Sequence, residues 1–493
     1  MRFVIRADAS AAIGSGHVMR CLSLSAAIQR RGGETEFVTQ LKGGNLATTL
    51  RKSSSRLHEL AARTRTERAD ALDTLHMAGE ADAYIVDHYA LSDTWETIVG
   101  KSGSRVIAID DLADRKHTAS LIVDSTYPGD SHRYEGLTNG QLLLGTRFAM
   151  LSRVYDKLRR SPISTKLGKV PRVLVYFGAS DLPGATLTAL EALEDSEFRD
   201  IKVDVVVGPN NAYGEAIRQM ARSNSYWRIH RSQPSFANLL LHADYAVTAG
   251  GVTQLERACL GVPGVTITVA DNQVPSTTAL ASAGVTNYVG HFGDVTPTMI
   301  RDALATLTSS AARSREMSTA GMTIVDGLGA DRVAEILLPT PLHGLTMRSA
   351  NSQDVGLYYT WANEPEVRAQ SLTSDSIDWN SHVSWFTNTL EDPSSYLYVL
   401  EASGLPVAQA RFEQRKDSLL LAYSVDDIFR GRGLGGEVVR RAIASLPDET
   451  PRKIAATVKA SNHGSLITLT RAGFVPDNSK ELIGDRIRLG RMR

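Results

Sequence analysis

His17 stands directly after a glycine-rich turn, Gly14-Ser15-Gly16, where a short apolar strand gives way to a helical pattern. An imidazole there is expected to be exposed to a cleft, and the helix dipole disfavours its protonation. A neutral imidazole can serve as a general base towards water, and the unpaired N–H groups of the turn favour an anion. Spacing alone fits a helix-capping histidine equally well.

A second glycine turn, Gly250-Gly251, precedes another helical pattern and can hold a phosphate. Glu256 lies one turn into that helix, where its carboxylate can accept from two ribose hydroxyls, or simply favours the first-turn dipole. The turn Gly178–Asp181 has a similar position, although strand-to-helix turns commonly contain Gly and Ser. Each motif is weak alone; the placement of all three at predicted strand ends is the stronger signal.

A third run, Arg430 to Gly436, reads Arg-Gly-Arg-Gly-Leu-Gly-Gly between a strand and a helix. Its glycines bring N–H groups close to a pyrophosphate, the helix adds its positive end, and the arginines add charge. The strand before it, Leu419–Val425, can splay and offer amides to a thioester. Asn462 and Ser465 follow in a second strand-to-helix segment.

The elements that must position these residues form three blocks. Buried apolar runs alternate with helical stretches in the first two, which is typical of doubly wound α/β domains with ligands at the carboxyl ends of their strands. In the first block the runs around Ile85, Ile107 and Ile122 each end in Asp. The third block, after a Pro-Thr-Pro linker, is rich in aromatics and strand-like runs. The predicted domains are residues 1–160, 161–338 and 345–493.

Composition sets broad limits. The 493 residues suggest about three domains, and 54 Lys+Arg balance 54 Asp+Glu. Two cysteines, Cys21 and Cys259, exclude a disulfide framework and fit a reducing compartment. The N-terminus lacks an apolar signal region, and no run approaches the ~18 residues of a membrane span. We therefore expect a soluble, cytoplasmic protein, without a metal, since no cluster shows clear ligand spacing.

The neutral total conceals a basic segment. From Arg430 to Arg493 the chain has 13 Lys+Arg against 6 Asp+Glu. Such a segment favours a polyanionic ligand. The segment contains the Gly/Arg loop, and the resemblance to acyltransferases given below implies acyl-coenzyme A, rather than nucleic acid, as that ligand.

Residues 1–338 resemble the UDP-sugar hydrolases of the pseudaminic acid pathway, relatives of glycosyltransferases with the two-domain GT-B fold. The most specific motif is the first loop, from Ile13 to Leu22. The other matching segments are Arg6-Ala7-Asp8, Val86–Tyr89, Ile109–Ala113, Leu144-Gly145 with Tyr155 beyond, Phe177–Asp181, Gly250-Gly251 with Glu256, and Asn272-Gln273.

This resemblance implies that His17 is the catalytic base, activating water against the anomeric carbon of a UDP-linked 2,4-diacetamido-2,4,6-trideoxy hexose. It implies that Glu256 holds the uridine ribose and that UDP leaves without a metal. The implied substrate-binding residues are Arg6, Asp8, Gly14, Gly16, Arg20, Asp87, His88, Tyr89, Gly178, Ser180, Asp181, Gly250, Gly251, Glu256, Asn272 and Gln273.

From Leu345 on, the chain resembles the GNAT acyltransferases, which use acyl-coenzyme A. Many of them carry a Tyr four residues after the motif Ser; here that position is Leu469, so the general acid is open between water, Tyr423 and another group. Glu413 and His382 are weak candidates for the base. The residues implied to bind acetyl-CoA are Val425, Arg430, Arg432, Gly433, Gly435, Gly436, Asn462 and Ser465.

The two resemblances fit one pathway, in which a GNAT enzyme acetylates the 4-amino group of a UDP-linked aminosugar and a hydrolase then removes UDP. They imply a bifunctional enzyme. The alternatives are a GT-B glycosyltransferase fused to an acyltransferase, and a hydrolase with a GNAT-like module that binds acyl-CoA without turnover.

Overall fold

The computed structural model describes residues 1–8, 16–40, 46–54, 56–61, 66–160, 170–181, 183–208, 211–231, 236–339, 344–371, 373–416, 418–477 and 486–492. The chain divides into two compact units, Met1–Pro339 and Thr340–Arg493. The first unit contains two parallel sheets and the second contains one mixed sheet. The predicted fold class, two Rossmann-like domains of GT-B type followed by a mixed α+β domain, is confirmed.

The first domain is built on apolar runs such as Phe3-Val4-Ile5, which are fully buried because helices cover both faces of the sheet. The strand order is β3-β2-β1-β4-β5-β6-β7, and neighbouring strands are parallel. Its elements are β1 Arg2–Ala7, α1 Gly16–Arg30, β2 Glu34–Thr39, α2 Leu46–Ser53, β3 Arg56–Glu59, α3 Glu67–Ala78, β4 Ala83–Asp87, α4 Asp93–Gly100, β5 Arg105–Ile109, β6 Leu121–Asp124, β7 Gln141–Leu144 and α5 Arg153–Arg159.

The strand order reverses at β1, which pairs with β2 on one side and β4 on the other. Ligands of open α/β sheets bind at such a switch point, beyond the carboxyl ends of the strands. The register places Ala7, the last residue of β1, beside Asp87, the last residue of β4. Helix α1 follows β1, so its first turn begins at this point.

The second domain repeats the plan with the strand order β10-β9-β8-β11-β12-β13, and its switch point lies between β8 and β11. Its elements are β8 Arg172–Tyr176, α6 Ala185–Leu193, β9 Lys202–Val207, α7 Gly214–Arg222, β10 Trp227–Arg231, α8 Phe236–Leu241, β11 Tyr245–Ala249, α9 Val252–Cys259, β12 Gly264–Thr268, α10 Val274–Ser282, β13 Asn287–His291, α11 Pro297–Thr308, α12 Ala311–Ile324 and α13 Gly329–Leu337.

Helix α13 returns to the first domain. Its Asp331 accepts from Arg30 at 2.9 Å, and its Glu335 accepts from Arg31 at 2.8 Å, both at the end of α1. Both acids are almost fully buried, where an ion pair is little screened by solvent. These pairs hold the last helix of the second domain against the first helix of the first.

The second unit contains the sheet β14-β15-β16-β17-β18-β20-β19, in which only β17 and β18 pair in parallel. Its elements are β14 Leu345–Ser349, α14 Val355–Asn363, α15 Pro365–Gln370, α16 Trp379–Glu391, β15 Ser395–Ala402, β16 Leu405–Arg415, β17 Ser418–Val425, α17 Leu434–Ala444, β18 Lys453–Lys459, α18 His463–Arg471, β19 Val475–Pro476 and β20 Arg486–Met492.

Strands β17 and β18 separate along their length. Their pairing stops at Leu421 and Ala456, whereas the other edge of β17 stays paired with β16 as far as Val425. The backbone groups of β17 from Ala422 on therefore have no strand partner on the β18 side, as the sequence predicts for a strand that receives a thioester.

Among the described helices, none combines the length and the apolar character needed to cross a bilayer.

Candidate functional site

His17 forms the centre of the first site. It lies in the first turn of α1, and its Nδ1 is 2.5 Å from Oδ1 of Asp87 at the end of β4. An ionised carboxylate can only accept, so Nδ1 carries the proton and Nε2 is left as the basic nitrogen. The expectation of an exposed imidazole is wrong: the residue is 5% exposed, and the ring of Tyr89 packs edge-on against it with centroids 4.5 Å apart.

Asp87 is held by more than the histidine. Arg20, one turn further along α1, donates from Nε to Oδ2 and from Nη2 to Oδ1, each at 2.6 Å. Burial opposes ionisation of Asp87, but the charge of Arg20 and the hydrogen bonds from Arg20 and His17 outweigh it and hold the pKa of this carboxyl well below its usual range. The carboxylate therefore stays ionised and fixes the tautomer of His17. Cys21 donates its thiol to Oδ2 at 3.4 Å and is fully buried, as predicted for core packing.

Asp111 extends the network across the sheet edge and was not among the predicted site residues. Its Oδ2 accepts from Nη1 of Arg20 at 2.8 Å and from the Tyr89 hydroxyl at 3.4 Å. Its Oδ1 is buried and has no hydrogen-bond partner among the described residues. Sequence offered a signal in the pair Asp110-Asp111, but this pair also fits strand-end caps.

Arg6, Asp8 and His88 make a second buried network beside the first. Arg6 binds both Asp8 and Asp70, and His88 accepts the N–H of Ala90 at Nδ1, which leaves its Nε2 to donate to Asp8 at 3.2 Å. Every member is thereby engaged within the protein. These contacts hold the three side chains at the ends of β1 and β4, and their predicted role in binding substrate stays a prediction.

Two helix N-termini face each other between the two sheets. A Cβ placed on Gly16, the first residue of α1, would lie 3.9 Å from Cγ2 of Val252, the first residue of α9. Gly251 caps α9, and among the described residues only Gln273 would lie near an added Cβ, at 3.7 Å. Opposed N–H groups of this kind suit a diphosphate. Gly14, also predicted here, lies outside the described residues.

Gly250 is small for a packing reason. A Cβ there would lie 2.6 Å from Oγ1 of Thr277 and 2.9 Å from Cγ2 of Thr268. Gly250 packs against the protein interior where α10 and β12 meet, so it allows the turn to lie close to them. Gly251 lies on the side of the turn that faces away from this contact.

Asn272 and Gln273 follow β12, and they have different partners. Asn272 donates from Nδ2 to the Tyr89 hydroxyl at 3.1 Å, which links the second domain to the network around His17. Gln273 accepts the N–H of Val269 at 3.0 Å, which fixes the loop. The predicted residues of the two domains thus meet at Tyr89.

Glu256, one turn into α9, accepts a hydrogen bond of 2.6 Å from the Tyr155 hydroxyl of α5. Burial raises the pKa of Glu256 to about 7, although the hydrogen bonds of Tyr155 and Thr253 pull it down. The side chain is therefore a carboxyl that titrates near neutrality, with one oxygen committed to Tyr155.

The turn after β8 divides its predicted residues between two roles. Gly178 has φ +94°, which a glycine adopts without strain, and no described residue lies within 4 Å of its Cβ position. Asp181 accepts the N–H groups of Ala185 at 3.0 Å and Thr186 at 2.9 Å, so it caps α6. Ser180 lies between them.

In the second unit, the Gly/Arg loop leads from β17 into α17. Gly431 and Gly433 have φ +77° and +78°, and Gly433 caps α17 with a left-handed turn. An added Cβ on Gly436 would meet no described residue within 4 Å. The loop therefore presents backbone next to the open edge of β17, which ends at Val425, and these residues fit a coenzyme pyrophosphate.

The arginines of the loop have protein partners. Arg430 forms ion pairs with Glu364 and, at 2.5 Å, with Glu366 of α15, and it donates to the carbonyl of Val425 at 3.2 Å. Its predicted contact with the coenzyme stays a prediction. Arg432 lies over the ring of Phe429, 5.4 Å from its centroid.

The start of α18 closes the other side of this region. Asn462 caps α18 through its Oδ1, which accepts the N–H of Ser465 at 3.0 Å. Thr468 lies against Gly435, since an added Cβ there would be 3.2 Å from Thr468 Oγ1. Helices α17 and α18 therefore meet at the glycine loop.

The face of the sheet covered by α16 carries polar side chains. Gln409 donates to Ser424 at 3.1 Å, and its Oε1 is buried without a partner among the described residues. Arg411, two residues along the same face, lies 4.8 Å over the ring of Trp385. Sequence reasoning missed Gln409, since no motif marks it. The two candidate bases are otherwise engaged: His382 donates to the carbonyl of Val355 at 3.0 Å, and Glu413 pairs with Arg415 at 2.8 Å.

Within the part of the chain that the structure describes, no group of three or more His, Cys, Asp or Glu could hold a metal ion.

Comparisons with known proteins agree with this division. Residues 344–475 match the family described as acetyltransferase (GNAT) domain. The uncharacterized protein MJ1062 of Methanocaldococcus jannaschii is 23% identical over 276 residues, or 54% of this chain and 55% of that protein. The spore coat polysaccharide biosynthesis protein SpsG of Bacillus subtilis is 27% identical over 168 residues, or 34% of this chain and 49% of that protein.

The chain thus spans about half the length of the curated relatives it matches. The crystal structure of MurG from Acinetobacter baumannii is similar over 69% of this chain and 100% of MurG, with a TM-score of 0.49 and 14% identity. The protein carries a GNAT acetyltransferase domain at its C-terminal end and a GT-B-like pair of Rossmann domains at its N-terminal end.

Proposed function

We propose that the protein is a bifunctional nucleotide-sugar enzyme. Its second unit acetylates the amine of a UDP-4-amino-4,6-dideoxy sugar with acetyl-CoA. Its first unit hydrolyses the resulting UDP-2,4-diacetamido-2,4,6-trideoxy hexose to free sugar and UDP, in pseudaminic (nonulosonic) acid biosynthesis. The observation that carries the hydrolase assignment is the bond between His17 Nδ1 and Asp87, which leaves Nε2 basic beside two facing helix N-termini.

In the hydrolytic step, Nε2 of His17 takes a proton from water as the water oxygen bonds to the anomeric carbon. The bond from that carbon to the diphosphate oxygen breaks, and its electron pair leaves with UDP. The imidazolium that forms is stabilised by Asp87, and Arg20 keeps that carboxylate ionised and oriented.

The departing UDP is stabilised by the first turns of α1 and α9, where N–H groups and the positive ends of both helices converge. Glu256 lies one turn deeper and accepts a ribose hydroxyl at the oxygen that Tyr155 does not occupy. Asn272 reaches Tyr89 across the gap between the domains. A relative named as a polysaccharide biosynthesis protein is compatible with a role on activated sugars.

For the second unit, acetyl-CoA would supply an acetyl group on a good thiolate leaving group. The open edge of β17 up to Val425 receives the thioester, and the loop from Gly431 to Gly436 receives the pyrophosphate. Gln409 Oε1, a buried acceptor beside Ser424, suits the donating N–H of an amine.

The decisive experiment incubates the protein with the UDP-4-amino sugar, with and without acetyl-CoA, and identifies the products by mass. We expect free diacetamido sugar, UDP and CoA only when acetyl-CoA is present. An increase in UDP release when an acceptor sugar is added would instead favour a glycosyltransferase. Calorimetric binding of acetyl-CoA without thiol release would favour a non-catalytic module.

His17→Ala tests the hydrolase site directly. UDP release from the diacetamido sugar nucleotide is expected to fall about 1000-fold, because the general base is lost. His132→Ala, which removes a surface histidine of the same domain, is the matched control and should keep wild-type activity. A wild-type rate for His17→Ala would end the assignment of this residue as the base.

A further inference from the structure

Acetyl transfer releases a thiolate, and the second unit has no tyrosine at the position where many related enzymes carry one. Leu469 stands there instead, on α18, with no exposed surface. An alkyl side chain has no proton to give. A proton for the leaving sulfur must therefore come from another group.

Tyr423 lies near position 469, but on strand β17 rather than on α18. It lies on the part of β17 that has separated from β18, two residues beyond Leu421 and two before Val425. Side chains alternate along a strand, and Ser424 points to the face of Gln409, so Tyr423 points to the other face. Tyr423 therefore lies at the open edge of β17, on the face of the sheet opposite the one that α16 covers.

On that side, Tyr423 meets α18. The side chains of Ser465 and Thr468 lie close enough to the Tyr423 hydroxyl to lower the pKa of the phenol. Ser465 and Leu469 are four residues apart and share a face of the helix, so the Tyr423 hydroxyl lies within one turn of position 469. Thr468 also packs against Gly435 in the first turn of α17. The phenol is thereby placed between the glycine loop and the open strand.

We propose that Tyr423 is the proton donor to the leaving sulfur of acetyl-CoA, replacing the residue that is absent at position 469. The assignment rests on the acetyl transfer proposed above. The amine lone pair forms a bond to the acetyl carbon, the C–S bond breaks with its electron pair passing to sulfur, and the Tyr423 O–H proton moves to that sulfur. The amine loses one proton to solvent, and solvent restores the phenol, so the products are the amide and the CoA thiol.

The protonation state agrees with this role. Burial raises the pKa of Tyr423, and the side chains of Ser465 and Thr468 only partly offset the effect. The phenol is protonated at neutral pH and holds a proton to donate.

Tyr423→Phe removes only the hydroxyl. We expect kcat for CoA release to fall about 100-fold, while KM for acetyl-CoA and the calorimetric Kd for CoA stay within twofold. The matched control is Tyr396→Phe, on β15 of the same sheet, which should keep wild-type kcat. The double variant Tyr423→Phe with Leu469→Tyr restores a phenol at the usual position and should recover part of the lost kcat.

A readout without turnover comes from the thiol of bound CoA, followed by the ultraviolet absorbance of the thiolate as pH is varied. A donating hydroxyl stabilises the thiolate, so the bound thiol should ionise at lower pH in the wild type than in Tyr423→Phe. Identical thiol titrations together with an unchanged kcat would overturn the proposal.

Failure of the proposed acceptor substrate can be distinguished from failure of the assignment of Tyr423. If the wild type acetylates no UDP-amino sugar, the proposed function fails, but hydrolysis of acetyl-CoA breaks the same C–S bond. Slower acetyl-CoA hydrolysis by Tyr423→Phe, with a shifted thiol titration, would then still support Tyr423, whereas equal rates and equal titrations would refute it.

Discussion

The two parallel sheets of the first unit share one plan but differ at the rim where their strands end. In the first sheet, β4 and β6 end in Asp87 and Asp124, and Asp110 follows β5. In the second sheet, the corresponding strands β11, β12 and β13 end in Ala249, Thr268 and His291. The acid rim and the neutral rim, as we name these two sets of strand ends, face the same gap between the domains.

The difference indicates how one fold divides two tasks. A carboxylate beside a histidine fixes the tautomer and stabilises the proton that the base gains, so the acid rim suits proton transfer. A diphosphate is repelled by carboxylates and favoured by backbone N–H groups, so the neutral rim with its glycine turn suits the nucleotide. Glu256, the acid nearest that turn, has a raised pKa and so carries less charge at neutral pH than an ordinary carboxylate.

Asp87→Asn is expected to have the largest effect. It keeps the shape of the residue but removes the charge that holds His17 Nδ1–H and Arg20, so kcat for UDP release should fall about 100-fold or more. Asp124→Asn, at the equivalent end of β6, is the matched control: this acid pairs with Arg133 but contacts no catalytic residue. An equal loss of kcat in both variants would mean that the acids of the acid rim support activity only by stabilising the fold.

The sequence predicts the acids at the ends of β4, β5 and β6 but not the side chains that they contact. Runs of apolar, mostly β-branched residues identify β4, β5 and β6, because such strands are buried on both faces. Asp87 and His17 are 70 positions apart, however, and their contact depends on the register that sets Ala7 beside Asp87. The buried position of His17 likewise depends on where Tyr89 packs.

The second unit shows the same limit. The Gly/Arg loop and the splayed strand were predicted from local pattern, and the missing tyrosine at Leu469 could be read directly. The partners of Arg430 could not, because Glu364 and Glu366 are more than 60 positions away and no local pattern encodes the ion pair. The ion pairs of Arg430 are therefore seen only in the structure, and its assignment to the coenzyme stays a prediction.

The two glycines of the neutral rim separate packing from binding. Gly250→Ala places a methyl group 2.6 Å from Thr277 Oγ1, and this overpacking should cost about 2 kcal/mol, seen as a Tm lower by several degrees. Within the described part of the chain, the methyl group of Gly251→Ala meets only Gln273, at 3.7 Å, so the variant should keep the wild-type Tm while weakening UDP binding in calorimetry. A wild-type Tm with weaker UDP binding in Gly250→Ala, together with a lower Tm and unchanged binding in Gly251→Ala, would show that Gly250 and not Gly251 borders the ligand.

The smallest expected effect is a pH dependence carried by Glu256. Its pKa of about 7 lies above the ordinary value of 4.5, so stability from the protonated form is present at low pH and is lost as pH rises towards 7. The ionised form accepts more strongly from ribose hydroxyls than the protonated form, so affinity should move the opposite way. A UDP-sugar, whose diphosphate does not titrate in this range, should bind about tenfold more weakly at pH 6 than at pH 8. In Glu256→Gln, stability and UDP-sugar affinity should both depend less on pH. An affinity that still changes tenfold between pH 6 and pH 8 would mean that another group titrates, and the acids of the acid rim would be the first candidates.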